Sequence, residues 1–430
     1  MAWGRELGVK WFTSAFGLPT SYRKPRNFSF VKILLIHIYL ITYSLISFAQ
    51  TQVSFYTDFE GGNLGEITKV GEYHWRCAVA GESDSDNRNR QASWYYFSVE
   101  GVKNQPIAIE LTELLGEYNY KPGAHAITSE TRPVISYNQD EWRHLTDEEV
   151  SWNDEATELI LTFTPQENIV WIAHQIPYTT NDLNDLLANY QDHSFLSKKS
   201  IGLTSEKKNI WQLTITNPKV STNQKKVVWL MARQHAWESG TSWVVEGAIR
   251  YLLDSATKNG LLDEIIFQVI PMADPDGVDR GGVRFNAFGH DLNRNWDLVI
   301  PEEMPEIQAQ KVAIAEQADQ IDLFVTLHNT ERADYIQGPD LPVGKQFYQT
   351  MLRQTSFESD EGVRKMPEAT TIGKAGRMTV NQALWDEYQI PAYLMELKVE
   401  KVNKLNGRRL VPEWLALGRG LVKSIAEAVK

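Results

Sequence analysis

The sequence predicts an α/β protein whose main sheet is doubly wound, mixed and mostly parallel, with helices on both faces and an antiparallel β-sandwich domain ahead of it. Three observations lead there. Residues 51–175 carry short β-branched and aromatic runs separated by turns rich in Gly, Asn and Asp. From residue 176 onward, strand-like and helix-like runs alternate, the pattern of a parallel sheet covered on both faces. The 430 residues also exceed one ordinary domain of roughly 100–200 residues. The expected organisation is a leader over 1–50, the sandwich over 51–175 and an α/β domain over 176–430.

In the sandwich, Ser93–Val99, Pro106–Leu111 and Leu159–Phe163 are strand runs, and no helical period longer than about three turns interrupts them. Past Pro177, Thr179-Thr180-Asn181-Asp182 can cap a helix through Leu183, Leu186 and Leu187. Val227–Met231 reads as a buried strand, followed by a helical stretch from Trp243 to Leu253. Ile265–Ile270, Leu323–Leu327 and Ala392–Leu397 are the next strands, and Trp414–Val429 is a closing amphipathic helix. Neither an internal repeat nor a low-complexity tract is present.

Composition narrows the function classes. A chain that is 42% hydrophobic and 23% charged forms cores, which excludes extensive disorder. A net charge of −12 argues against a general nucleic-acid binder. A single cysteine, Cys77, cannot form an internal disulfide. At the N-terminus, Ile33–Ala49 carries no formal charge, follows Arg23, Lys24, Arg26 and Lys32, and ends on Ser47-Phe48-Ala49. Basic flank, apolar run and small-x-small end together predict a secretory signal peptide cleaved near Ala49, hence an exported protein. The competing reading is an uncleaved membrane anchor, for which the run is short.

Chemistry concentrates at four places. His235 and Glu238 sit three apart in Ala232-Arg233-Gln234-His235-Ala236-Trp237-Glu238, just past a strand end, so both can face one point. Zinc accepts both ligand types, with a third protein ligand and an open position in catalytic sites. His328 ends another strand, and strand C-termini in such sheets line one crevice. Glu396 interrupts the apolar strand Tyr393–Leu397; a buried carboxylate costs several kcal/mol unless paired or functional, and one beside an activated water serves as a general base. Between these lie Ala273-Asp274-Pro275-Asp276-Gly277-Val278, Arg284 and Asp291-Leu292-Asn293-Arg294-Asn295-Trp296-Asp297. An arginine fork there can bind a carboxylate with two parallel hydrogen bonds.

The order HxxE, then xPDGV…R…DLNRNWD, then a strand-ending His and a strand Glu resembles the zinc carboxypeptidases. Phe55–Gly65, Trp94-Tyr95-Tyr96-Phe97 and Ile176-Pro177-Tyr178-Thr179 are similar to the β-sandwich of their cytosolic branch. The resemblance implies one Zn²⁺ held by His235, Glu238 and His328, with Glu396 as general acid and base. Arg284 would polarise the scissile carbonyl, Asn293 and Arg294 would clamp the substrate's terminal carboxylate, and Asp291 would orient the first histidine. Peptide or protein C-termini would then be the substrates. Lys374-Ala375-Gly376-Arg377 resembles the stretch lining the side-chain pocket, so Arg377, with Lys374, would favour acidic C-terminal residues.

This sequence also departs from the family. Ala236-Trp237 stands where the branch has Pro-Gly, Asp274 replaces the usual Asn of the turn, and no tyrosine occupies the spacing of the digestive members' mobile tyrosine, although Tyr388 and Tyr393 are nearby. Two other readings share these residues: a zinc amidohydrolase acting on a small acylated amino acid or cell-wall peptide, and an inactive module that binds peptide or glycan. Oligomeric state has no signature in the sequence.

Overall fold

The computed structural model describes residues 52–430 apart from 154, 255–259 and 367–375. The leader expected over 1–50 lies outside the described residues. Among those described, no helix is long and apolar enough to cross a membrane. Residues 53–430 pack as one compact unit.

The first half is built as expected from short strands, in two five-stranded sheets. One orders Ser54–Tyr56, Tyr96–Glu100, Ile169–Ala173, Val134–Ser136 and Trp142–His144; the other orders Val150–Trp152, Leu159–Phe163, Ile107–Thr112, His74–Ala78 and Ile67–Gly71. Alternating residues of both fill the space between them, with Trp75, Cys77, Phe97, Ile109, Leu161 and Ile172 all buried. Pairing is antiparallel except between His74–Ala78 and Ile107–Thr112, which run parallel. A third, small sheet of Glu82–Ser83, Arg90–Gln91, Leu115–Tyr118 and Lys121–His125 was not anticipated from the sequence. It becomes important at the site.

The second half forms an eight-stranded sheet. Its strands are β1 (Leu196–Leu203), β2 (Asn209–Ile215), β3 (Lys226–Ala232), β4 (Ile265–Ile270), β5 (Ile321–Thr330), β6 (Tyr335–Gly338), β7 (Val363–Lys365) and β8 (Ala392–Lys398). They lie in the order β1-β2-β4-β3-β5-β8-β6-β7. The four central strands, β4, β3, β5 and β8, are mutually parallel, whereas β2 and β6 pair antiparallel to β4 and β8. Burial on both faces explains why the central strands read as continuous apolar runs. Along β3, Val228, Leu230 and Ala232 pack with Val244, Ala248 and Leu421 from the helices Ser239–Asp254 and Val411–Ala428. Val227, Trp229 and Met231 face the other way, toward Ile307, Ile314 and Leu384. The period of two along one strand thus separates two cores.

The capping signal at Thr179 was read correctly. Its side chain and that of Asp182 form a reciprocal capping box at the start of the helix Thr180–Asn189. Strands β1, β2, β6 and β7 were not read from the sequence. Among them β1 has the sequence LSKKSIGL and is largely exposed, so it lacks the apolar signature that marks the centre.

Candidate active site

Four loops and strand ends meet at the C-terminal edge of the parallel strands. After β3 the chain turns sharply at Arg233, a non-glycine residue with φ +61°. Strain of this kind persists only when neighbours over-determine it. Here the buried guanidinium donates to the carbonyls of Ala236 (2.8 Å) and Tyr178 (3.0 Å) and to Ser242 Oγ (3.0 Å). The turn delivers His235 and Glu238 to the same point. His328 arrives from β5, which continues two residues beyond it to Thr330.

His235 Nδ1 lies 2.7 Å from Glu238 Oε1, and His328 Nδ1 lies 3.0 Å from Glu238 Oε2. One atom from each of the three residues fits within 4.8 Å, and all three side chains are buried. The far nitrogens are also held: His235 Nε2 is 3.0 Å from Asp291 Oδ1, and His328 Nε2 is 3.2 Å from Gln234 Oε1. Gln234 is itself oriented because its amide nitrogen donates to Leu292 O at 2.8 Å, which leaves its oxygen as the acceptor. The Asp291 acceptor on His235 Nε2 places the proton there and turns the Nδ1 lone pair inward, while His328 Nε2 meets both Gln234 Oε1 and the Asn293 amide nitrogen at 3.2 Å. Two imidazole nitrogens and a carboxylate converging in this way fit a zinc ion.

Glu396 stands beside His328 because the two are register partners on the parallel strands β5 and β8. Its Oε2 is buried without a hydrogen-bond partner. Burial, then repulsion from Glu238 and Glu331, pushes its carboxyl well above the ordinary range. Glu238 behaves oppositely. Burial alone would raise it, but His235 and His328 outweigh that and hold it down at about 2.

Asp291 ties the other groups together. Its Oδ2 accepts from Arg284 Nε at 2.7 Å, while Oδ1 faces His235. Burial opposes its charge, yet Arg284 and His235 keep it ionised, well below the usual range. Asn293 is buried and accepts from Val380 N–H through Oδ1 (3.0 Å), which turns its amide nitrogen toward the His328 side of the site. Arg294 donates to Asn293 O at 2.7 Å. His235, Glu238, Arg284, Asn293, Arg294 and Glu396 all line one cavity of about 230 Å³. A larger hollow of about 610 Å³ lies on the N-terminal domain, beside Arg76 and Glu158, and contains none of these residues.

Arg377 is not among the residues lining the cavity, although it lies close in sequence to Thr379, which is. Lys374 lies outside the described residues. Trp237 lines the cavity and also stacks on His174 of the N-terminal domain, with centroids 5.7 Å apart and planes 14° apart. Neither tyrosine singled out by sequence reaches the site: Tyr393 donates to Pro339 O, and Tyr388 is 37% exposed. Tyr335 does reach it. It is the register partner of Glu396 across β6 and β8, and the Arg364 guanidinium lies 3.7 Å over its ring. Glu331 and Gln91 also line the cavity and were missed. Glu331 offered a weak signal as a charge just after a strand end; Gln91, from the first domain, offered none.

Two family models match consecutive stretches that together cover more than half of the chain. One is the zinc carboxypeptidase model over residues 181–340, and the other is the cytosolic carboxypeptidase N-terminal domain over 55–174. Mouse cytosolic carboxypeptidase 3 is 28% identical over 299 residues, which are 65% of this chain and 29% of that protein. Human cytosolic carboxypeptidase 6 is 26% identical over 289 residues, 63% of this chain and 56% of that one. The chain thus spans under a third of the length of the mouse relative. A metallo-carboxypeptidase structure from Burkholderia cenocepacia aligns with a TM-score of 0.76 at 20% identity, covering 88% of this chain and 99% of its own. That likeness establishes the fold. The relatives' cytosolic naming overturns the expectation of an exported protein with a signal peptide ending near Ala49. An apolar run after basic residues satisfies the local pattern of a signal wherever it occurs, so the pattern alone misled. With both family models matched in order, the chain belongs to the zinc carboxypeptidase family and carries the N-terminal domain of its cytosolic branch.

Proposed function

We propose that this protein is a zinc-dependent carboxypeptidase that hydrolyses the C-terminal peptide bond of peptides or proteins. One observation carries the reading: the Nδ1 atoms of His235 and His328 converge on Glu238, and Glu238 lines one cavity with two arginines and Glu396, whose Oε2 has no partner. His235, Glu238 and His328 would hold a zinc ion, which would supply Lewis acidity.

The remaining work belongs to side chains. Arg294 receives the substrate's terminal carboxylate, and Asn293 helps through its amide nitrogen, since its oxygen is already committed to Val380. Arg284 faces the developing oxyanion; one such donor is typically worth about 10²–10³ in kcat. Its orientation comes from the Nε contact with Asp291, which leaves the far nitrogens of the fork for substrate. Glu396 takes a proton from the attacking water and returns it to the leaving amine. Water is consumed, the C–N bond breaks, and a free amino acid and a shortened chain leave.

The finer reading is a preference for acidic C-terminal residues through Arg377, with Lys374. It is supported by the pinning of this segment, where Asp297 accepts from Gly376 N (2.8 Å) and Met378 N (2.9 Å) next to cavity-lining Thr379. Release of the last residue from peptides ending in Glu, Lys or Phe tests both levels. Cleavage with Glu fastest is expected, and faster release of Lys or Phe would sink the preference while leaving the carboxypeptidase reading intact.

A further inference from the structure

The loop Asp279–Asp291 carries Arg284 and Asp291, and its own domain holds it through Trp237 N to Val283 O (3.0 Å), Asn286 Nδ2 to Glu303 O (2.7 Å) and Lys208 Nζ to Asp279 Oδ2 (2.6 Å). The N-terminal domain also stitches it in place. Asn63 Nδ2 donates to Gly281 O at 2.6 Å, Gly61 N donates to Asp279 O at 2.9 Å, and Ser85 N donates to Gly289 O at 3.1 Å. Gly281 and Gly289 both have positive φ and touch the other domain so closely that a Cβ would come within 2.4 Å of Gly62 O and 2.6 Å of Ser85 N. The strongest stitch is at the centre. Glu82, on the small sheet, accepts three successive backbone N–H groups with a single Oε2: Val283 at 3.1 Å, Arg284 at 2.5 Å and Phe285 at 2.7 Å. Its Oε1 lies 3.5 Å from Arg280 Nη2.

A carboxylate gathering consecutive amides fixes their peptide planes, because hydrogen bonds to an ionised acceptor are short and roughly twice as strong as neutral ones. The fixed backbone belongs to Arg284, whose Nε then meets Asp291, whose other oxygen meets His235. We propose that Glu82 is a positioning residue for Arg284, and that through it the N-terminal β domain is part of the hydrolytic site rather than an attached module. This rests on the carboxypeptidase reading, since it gives Arg284 a task in the transition state. A misplacement of about 1 Å at such a group is enough to cost roughly 10²-fold.

The test uses the full chain as Glu82→Ala and Glu82→Gln, each compared with wild type and in an Arg284→Ala background. Glu82→Ala should lower kcat by about 10- to 100-fold with KM changed less than about 3-fold, the mark of an interaction made only in the transition state. Glu82→Gln, which keeps one acceptor of the same shape, should fall between. In the Arg284→Ala background either change should have almost no further effect. Independently of activity, hydrogen exchange of the amides at 283–285 should accelerate in both variants. An unchanged kcat, a loss carried by KM, or full additivity with Arg284→Ala overturns the proposal. If Glu82→Ala does not fold, the isosteric Glu82→Gln decides by the same criteria. A wild-type chain that cleaves no peptide defeats the carboxypeptidase reading instead, and exchange at 283–285 unaltered by Glu82→Gln then defeats the stitch itself.

Discussion

Asp274→Asn should stabilise this protein at neutral pH and not at acid pH. Asp274 is fully buried and caps the short helix Pro275–Asp279, its Oδ1 accepting from Gly277 N at 2.9 Å. Its Oδ2 has no partner. Burial therefore pushes the carboxyl up to about 7, against the opposing pull of Arg280 and the Gly277 N–H. A folded-state value above the unfolded one means that the native protein holds the proton more tightly. The stability this group contributes is fully present below pH ~4 and is lost as pH rises through about 7. The gap of roughly 3 units corresponds to at most about 4 kcal/mol. Asn caps a helix about as well as Asp and carries no charge to desolvate. Denaturant unfolding of both proteins at about pH 3 and about pH 8 measures the difference. It should be near zero at the lower pH and on the order of 2–4 kcal/mol in favour of Asn at the higher one. Equal stabilisation at both pH values would place the effect in packing rather than in charge, and no stabilisation at pH 8 would refute the reasoning.

Two further outcomes follow from the site. Asp291→Asn leaves one oxygen for two partners, His235 and Arg284, so zinc affinity measured by chelator competition should fall about 10- to 100-fold, and an unchanged affinity would contradict the orienting contact. Glu396 is pushed up by burial beside Glu238 and Glu331, and a divalent cation reverses that balance. Zinc binding to the metal-free protein near pH 7 should therefore release protons, which titration calorimetry in buffers of different ionisation enthalpy detects; heats independent of the buffer would argue against it.

Much of this was legible in the sequence because the chemistry sits on the most regular part of the fold. The central strands are buried on both faces and announce themselves as apolar runs, so residues that break the pattern, such as Glu396, stand out. His235 and His328 were placed by the same logic, each counted from a strand end. The edges were not legible: β1 carries lysines, β6 and β7 span four and three residues, and neither length nor pattern distinguishes them from loops. Tyr335 was missed for that reason, since its place opposite Glu396 exists only once β6 pairs with β8. Glu82 and Gln91 were missed for another. They act some 200 positions away in sequence from the loop or the site they touch, and a two-residue strand leaves no periodic trace. Trp237 was noticed as a departure from the family, but its stacking on His174 shows that it joins two domains as well as lining the cavity.

The most direct measurement is metal content together with C-terminal residue release on the same preparation, for wild type and Glu396→Gln. About one zinc per chain in both proteins is predicted, with residue release in wild type and a loss of at least about 10²-fold in the variant, the lower end of what a general base contributes. No bound zinc would remove the site on which the account stands, and zinc with undiminished release by Glu396→Gln would remove Glu396 from the chemistry.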